Sequence, residues 1–148
     1  MDPRSSQVAD FMRKIKYKIK KLEIHADKRG WLVNLFSANE LEKPVKQMHL
    51  ASIKLGHIRG NHYHSKRMEW FFVIAGKAKF CLKDVKDKRK ICFELSEKHP
   101  KVITIFPGVA HAVKNIGKET VYLASAQSDI YNPKSPDAYP YKIYGNKM

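Results

Sequence analysis

Four residues in this sequence have the types and spacing to hold one metal ion: His62, His64, Glu69 and His111. His62 and His64 are two apart, so on a β-strand both imidazoles point to one face. Between His64 and Glu69 lies the polar stretch Ser65-Lys66-Arg67. It offers a turn, after which Glu69 opens a neighbouring strand on the same face. Phe71 and Val73 then share the face of Glu69, while Trp70, Phe72 and Ile74 take the other. A carboxylate heading so apolar a strand is costly to bury unpaired, and a divalent cation removes that cost. His111 follows Phe106-Pro107-Gly108, where a Pro-Gly turn re-aims the chain, and shares its face with Val113 and Asn115. Three imidazoles and one carboxylate form a mixed nitrogen and oxygen set that suits zinc, iron, manganese, nickel or copper. His25, His49 and His99 are read as ordinary surface or core groups.

The elements that must position these residues are many and short. Alternation and turn residues predict strands over 14–22, 31–36, 46–55, 60–64, 69–75, 77–83, 90–95, 102–105, 111–115 and 120–128. Ser37-Ala38-Asn39-Glu40-Leu41 reads as one helical turn capped by Ser37. Gly76, the stretch from Asp84 to Lys88, Pro107-Gly108 and the stretch from Asn115 to Lys118 supply turns. Strands at this density indicate an all-β sandwich or barrel.

A length of 148 residues suits one domain. Residues 1–12 are read as an N-terminal extension. Residues 13–148 form the domain, with a proline-rich C-terminal arm from about 129. No apolar run is long enough for a membrane span, and the first ten residues lack a signal-peptide pattern, so the expected location is cytoplasmic. In that setting Cys81 and Cys92 are read as two reduced thiols, although a hairpin centred near Lys86-Asp87 would place them opposite each other. The net charge of +15 calls for an anionic partner or a lysine-solvated surface. Lys14, Lys16, Lys18 and Lys20 alternate with Ile15, Tyr17 and Ile19, which favours a strand with one wet face. Nucleic acid is not the expected partner, because charge alone suggests it and interleaved exposed aromatics are missing.

The spacing Gly56-x5-His62-x-His64-x4-Glu69-x6-Gly76 resembles the first cupin motif, and Gly108-x2-His111-x3-Asn115 resembles the second half of the second. The resemblance implies a cupin double-stranded β-helix, or jelly-roll barrel, usually dimeric and with a metal in its mouth. A narrower resemblance runs from about Asp27 to Tyr139. Arg29-Gly30, the stretch from Arg59 to His64 and the tail from Tyr131 to Tyr139 look like the C-terminal cupin domain of capsular polysaccharide assembling epimerase-reductases. That domain epimerises a keto nucleotide sugar and carries zinc, which makes zinc the favoured ion. The Arg-Gly-x-His stretch is also similar to dTDP-keto-sugar epimerases and ketoisomerases, which are metal-free and use the histidine matching His62 as a base. His62 cannot be a ligand and a free base at once.

Epimerisation beside a ketone requires a base, an acid and a group that stabilises the enolate. Candidate proton carriers, besides His62, are His57, Tyr63 and Tyr131. Arg59 and Lys66 are candidates for the phosphates of a phosphorylated or nucleotide sugar. The expected activity is a metal-dependent epimerase or isomerase of a keto nucleotide sugar in polysaccharide biosynthesis, acting as a homodimer. The alternatives are a phosphosugar isomerase, a metal-dependent dioxygenase and a non-enzymatic sugar-binding cupin.

Overall fold

Period-two patterning governs the chain in the computed structural model, which describes residues 15–145. The N-terminal extension 1–12 and the start of the first lysine-rich strand lie outside the described residues. The strands are β1 (Tyr17–Lys21), β2 (Ile24–Asp27), β3 (Gly30–Val33), β4 (Gln47–Ile53), β5 (Ile58–Tyr63) and β6 (Glu69–Ala75). They continue with β7 (Lys77–Asp84), β8 (Lys90–Ser96), β9 (Lys101–Ile105), β10 (Val109–Asn115), β11 (Val121–Gln127) and β12 (Tyr139–Pro140). A 3-10 turn, Ala38–Glu40, follows Ser37, whose N–H donates to the Glu40 carboxylate at 3.2 Å. Among the described residues no helix is long and apolar enough to cross a membrane.

Two five-stranded sheets stack, one ordered β1-β9-β6-β11-β4 and the other β12-β5-β10-β7-β8, with β2 and β3 as a separate hairpin. From β4 onward the chain passes back and forth between the sheets, which is the cupin jelly roll expected. Between them lies a core that includes Ile53, Phe71, Val73, Phe80, Leu82, Ile103, Ile105, Val113 and Leu123. The opposite face of β6 is buried as well. Trp70 and Phe72 join Met68, Val102 and Ala126 in a second cluster covered by Leu35, Phe36, Leu41 and Val45. The two apolar faces of β6 are therefore explained by two cores.

Three expectations change. The strand expected over 31–36 ends at Val33, because the following residues leave the sheet to cover that second cluster. Its partner β2 was not anticipated; four residues carry too little pattern. Cys81 and Cys92, expected as reduced thiols, are joined in a disulfide. They are direct cross-strand partners of β7 and β8 with Cα atoms 4.2 Å apart, so pairing of the hairpin alone brings the sulfurs together. The wet lysine face of β1 is present, with Lys18 and Lys20 paired to Glu42 and Glu40 of the neighbouring segment. Exposed pairs of this kind contribute little.

One irregularity positions the site. In β5, His62 is the partner of His111 and Gly60 is the partner of Ala112, so Asn61 is an extra, bulged residue with φ of +56°. The bulge needs Gly60 beside it. Its φ is +92°, and a Cβ there would come within 2.6 Å of the His111 carbonyl oxygen. Gly60→Ala is expected to destabilise the protein by about 1–3 kcal/mol in urea denaturation. An unchanged midpoint would show that the bulge carries no such constraint.

Candidate metal centre

His62 on β5, His64 just beyond it, Glu69 at the start of β6 and His111 on β10 converge, each offering one ligating atom, all within 4.8 Å of one another. His64, Glu69 and His111 are buried and His62 is half-buried. Ring centroids are 4.9 Å apart for His62 and His64, 4.7 Å for His62 and His111, and 5.4 Å for His64 and His111. The register explains the meeting. His111 lies opposite His62 across the second sheet, and Glu69 lies on the facing strand of the first. The loop before β10 is tied in by the Gly108 N–H, which donates to the His64 carbonyl at 2.7 Å.

Backbone carbonyls orient two of the imidazoles. His111 Nδ1–H donates to the Val109 carbonyl at 3.2 Å, and His64 Nδ1–H donates to the Asp137 carbonyl. Each ring therefore turns Nε2 inward as a lone pair. Both Nε2 atoms are buried without a hydrogen-bond partner. They meet the Glu69 carboxylate, with His64 Nε2 in contact with Oε1 and His111 Nε2 3.6 Å from it. Acceptors facing one another in a buried space repel unless a cation lies among them. A proton on His64 is one such cation and a divalent metal is another; the donor set fits the metal.

The ionisation of the cluster follows from the same geometry. Burial would raise the Glu69 carboxyl, but its contact with the His64 ring and the imidazole charges outweigh it and hold it at about 2. Burial, reinforced by His111 and His64, pushes His62 down to about 4, so it is a neutral ring at physiological pH. Burial likewise lowers His111. For His64 burial acts downward, yet the Glu69 carboxylate and the Asp137 carbonyl raise it overall.

Residues 25–139 match the model of the polysaccharide biosynthesis C-terminal domain. The chain belongs to that family. Its sequence is 29% identical over 126 residues to the Bacillus subtilis (strain 168) spore coat polysaccharide biosynthesis protein SpsL, covering 81% of this chain and 83% of that protein. The capsular polysaccharide assembling protein CapF of Staphylococcus aureus superposes with a TM-score of 0.65 at 25% identity, over 82% of this chain and 33% of CapF. This member of the family thus spans about a third of CapF. The dTDP-6-deoxy-D-glucose-3,5-epimerase RmlC of Legionella pneumophila superposes with a TM-score of 0.73 at 23% identity, over 80% of this chain and 70% of that one, and shares the fold.

The other residues singled out in this family member divide. Register pairs Arg59 with Val113, and Val113 shares a face with His111, so past the bulge Arg59 also lies on the face of His62. Its Nε donates across to the Ser52 carbonyl of β4 at 2.8 Å. Lys66 is exposed in the turn just after the cluster. Tyr131 is exposed, with its N–H donating to Gln47 Oε1 at 2.6 Å. Two residues are not brought to the cluster. His57 is exposed at the far end of β5, where its carbonyl accepts from Asn115 N–H. Tyr63 stacks on Tyr139 at 5.2 Å and meets Tyr141 edge-on, packing with the C-terminal arm.

Sequence reasoning passed over several groups. Gln47 and His49 on β4 are in register with Gln127 and Ser125 on β11, and Gln127 is also in register with Glu69. They extend a polar row from the cluster across the inner face, and His49, read as ordinary, is part of it. Polar residues at alternate positions of two otherwise apolar strands were the available signal. The role of Asp137 had no local signal, since it lies 73 residues beyond its partner His64. Its carboxylate accepts from the N–H groups of Ser65, Lys66 and Arg67 and from the Ser65 hydroxyl.

Those four hydrogen bonds outweigh the opposing effect of burial and hold the Asp137 carboxyl at about 2. A lowered carboxyl contributes stability that is complete above about pH 4 and is lost as pH falls through the folded value. Asp137→Asn is expected to cost about 1–2 kcal/mol at neutral pH. The gap from the parent protein should close between about pH 4 and pH 2. A gap independent of pH in chemical denaturation would rule out the charged carboxylate as its source.

Proposed function

We propose that the protein is a metal-dependent epimerase or isomerase of a keto nucleotide sugar in polysaccharide biosynthesis. The observation that carries this reading is the set of buried, inward-facing acceptors on His64, His111 and Glu69, with His62 closing the group. In this reading His62, His64, Glu69 and His111 hold one divalent ion, with zinc favoured. When bound, such an ion supplies a Lewis acid that polarises a substrate ketone and favours the enolate over the keto form.

The side chains of this chain supply the rest. His62, held neutral and with its proton affinity far down, is better suited to donate a lone pair to an ion than to act as a base. Tyr131, at the rim, is the proton carrier the arrangement favours. Arg59, on the inner face, and Lys66, exposed in the turn between His64 and Glu69, receive the diphosphate. The relatives support the substrate class: SpsL and CapF are named for polysaccharide biosynthesis and assembly, and the RmlC structure holds dTDP-4-keto-L-rhamnose. We extend the dimer expected of cupins to this chain; Met48 and Leu50, exposed on the outer side of β4, are apolar surface suited to a second copy.

The test is solvent deuterium exchange into a panel of UDP- and dTDP-keto sugars by protein of measured metal content. Deuterium is expected at the carbon beside the ketone. Chelation or Glu69→Gln is expected to lower the exchange rate by about 10²-fold or more. A stoichiometric metal with no exchange into any sugar would overturn the epimerase reading and leave the phosphosugar isomerase, dioxygenase and sugar-binding readings. Exchange that survives metal removal would overturn the metal dependence.

A further inference from the structure

Arg67 is the charged residue that the site described so far leaves unused. It is only 7% exposed, and its Nε is buried without a hydrogen-bond partner. Among the described residues its guanidinium forms no ion pair. Its backbone is fixed, because Asp137 accepts its N–H and the Ser128 hydroxyl accepts the N–H of Met68. Met68 turns into the outer cluster with Trp70 and Phe72, so alternation gives Arg67 the face of Glu69. Next to Glu69, across β11, Gln127 is 2% exposed and its Oε1 is also without a partner.

An arginine side chain drawn almost wholly out of water, with no counter-charge among the described residues, is costly for a fold to carry. Adding a divalent ion to the cluster would deepen the imbalance, since Glu69 is the one carboxylate in the donor set. The missing partner is an anion, and the position of Arg67 beside the cluster points to one that arises on the substrate.

We propose that Arg67 is a catalytic residue that donates hydrogen bonds to the negatively charged oxygen of the enolate formed from the keto sugar. This rests on the epimerase reading above. The step is a proton transfer without redox change. The C–H bond beside the ketone breaks and its proton goes to the site's base. The C–H electron pair forms a C=C bond, and the C=O π pair moves onto oxygen, which Arg67 then meets with its N–H groups. Gln127 Oε1 accepts from a hydroxyl on a neighbouring carbon, so the pair reads an oxygen-bearing carbon next to the ketone. The exposed Arg59 and Lys66 remain for the phosphates. The same N–H groups would also suit a phosphate oxygen, and the kinetics tell the two apart.

In deuterium exchange, Arg67→Met is expected to lower kcat by about 10²- to 10³-fold with KM nearly unchanged and metal content intact. Arg67→Ala should be partly restored by added guanidinium ion, which a merely structural role would not allow. A rise in KM at constant kcat would overturn the enolate assignment and place a phosphate at Arg67. Unchanged kcat and KM would overturn the anion site altogether. A second measurement does not depend on the reaction. Acetate is titrated into the protein while the Arg67 Nε–H signal is followed by 1H–15N NMR. A saturable downfield shift is expected. A signal indifferent to acetate overturns the site even if exchange is observed, whereas a shift without any exchange upholds the anion site and removes the epimerase reading instead.

Discussion

Lone pairs that face one another in a dry interior need a cation, and much of this molecule is arranged around that constraint. The Nε2 atoms of His64 and His111 and the Glu69 carboxylate are brought together by three different parts of the chain. His64, Glu69 and His111 are buried, and Phe71 packs behind them, 5.5 Å from the His111 ring. The arrangement is unfavourable alone and favourable around an ion. Such a cluster is therefore evidence for binding in a way that an exposed histidine pair is not.

The supports of the cluster reach well beyond it. The bulged Asn61 brings His62 opposite His111, and its side chain also anchors the end of the chain. Asn61 Oδ1 accepts from the N–H groups of Ile143 and Tyr144. Asn61 carbonyl accepts from Tyr141 N–H at 2.7 Å. The same arm delivers the Asp137 carbonyl to His64 and the Asp137 carboxylate to the turn before Glu69. The C-terminal arm is thus part of the site's support, and its proline-rich composition fits a segment that must be held extended along β5.

Much of this was legible in the sequence. The strand from Glu69 to Ala75 was read with its correct ends, because a polar turn precedes it and Gly76 closes it. The four converging residues were legible for a similar reason: two lie at a spacing that strand geometry fixes, and the others lie at or near the start of strands that follow recognisable turns. What escaped is what depends on pairing. The bulge at Asn61, the partnership of Cys81 with Cys92, and the polar row of Gln47, His49, Ser125 and Gln127 arise from register between strands, which composition does not encode. Arg67 escaped because lysine and arginine in a turn ordinarily point to water. Only the packing shows its side chain drawn out of solvent.

The most direct test of the central claim is a titration of the metal-free protein with cobalt(II), followed by visible absorption. The account predicts saturation at about one ion per chain, with the intense d–d bands of a low-coordinate nitrogen and oxygen site, and loss of those bands in the combined His64→Ala and Glu69→Ala variant. Weak bands of a hydrated ion, or bands unchanged in that variant, would contradict it.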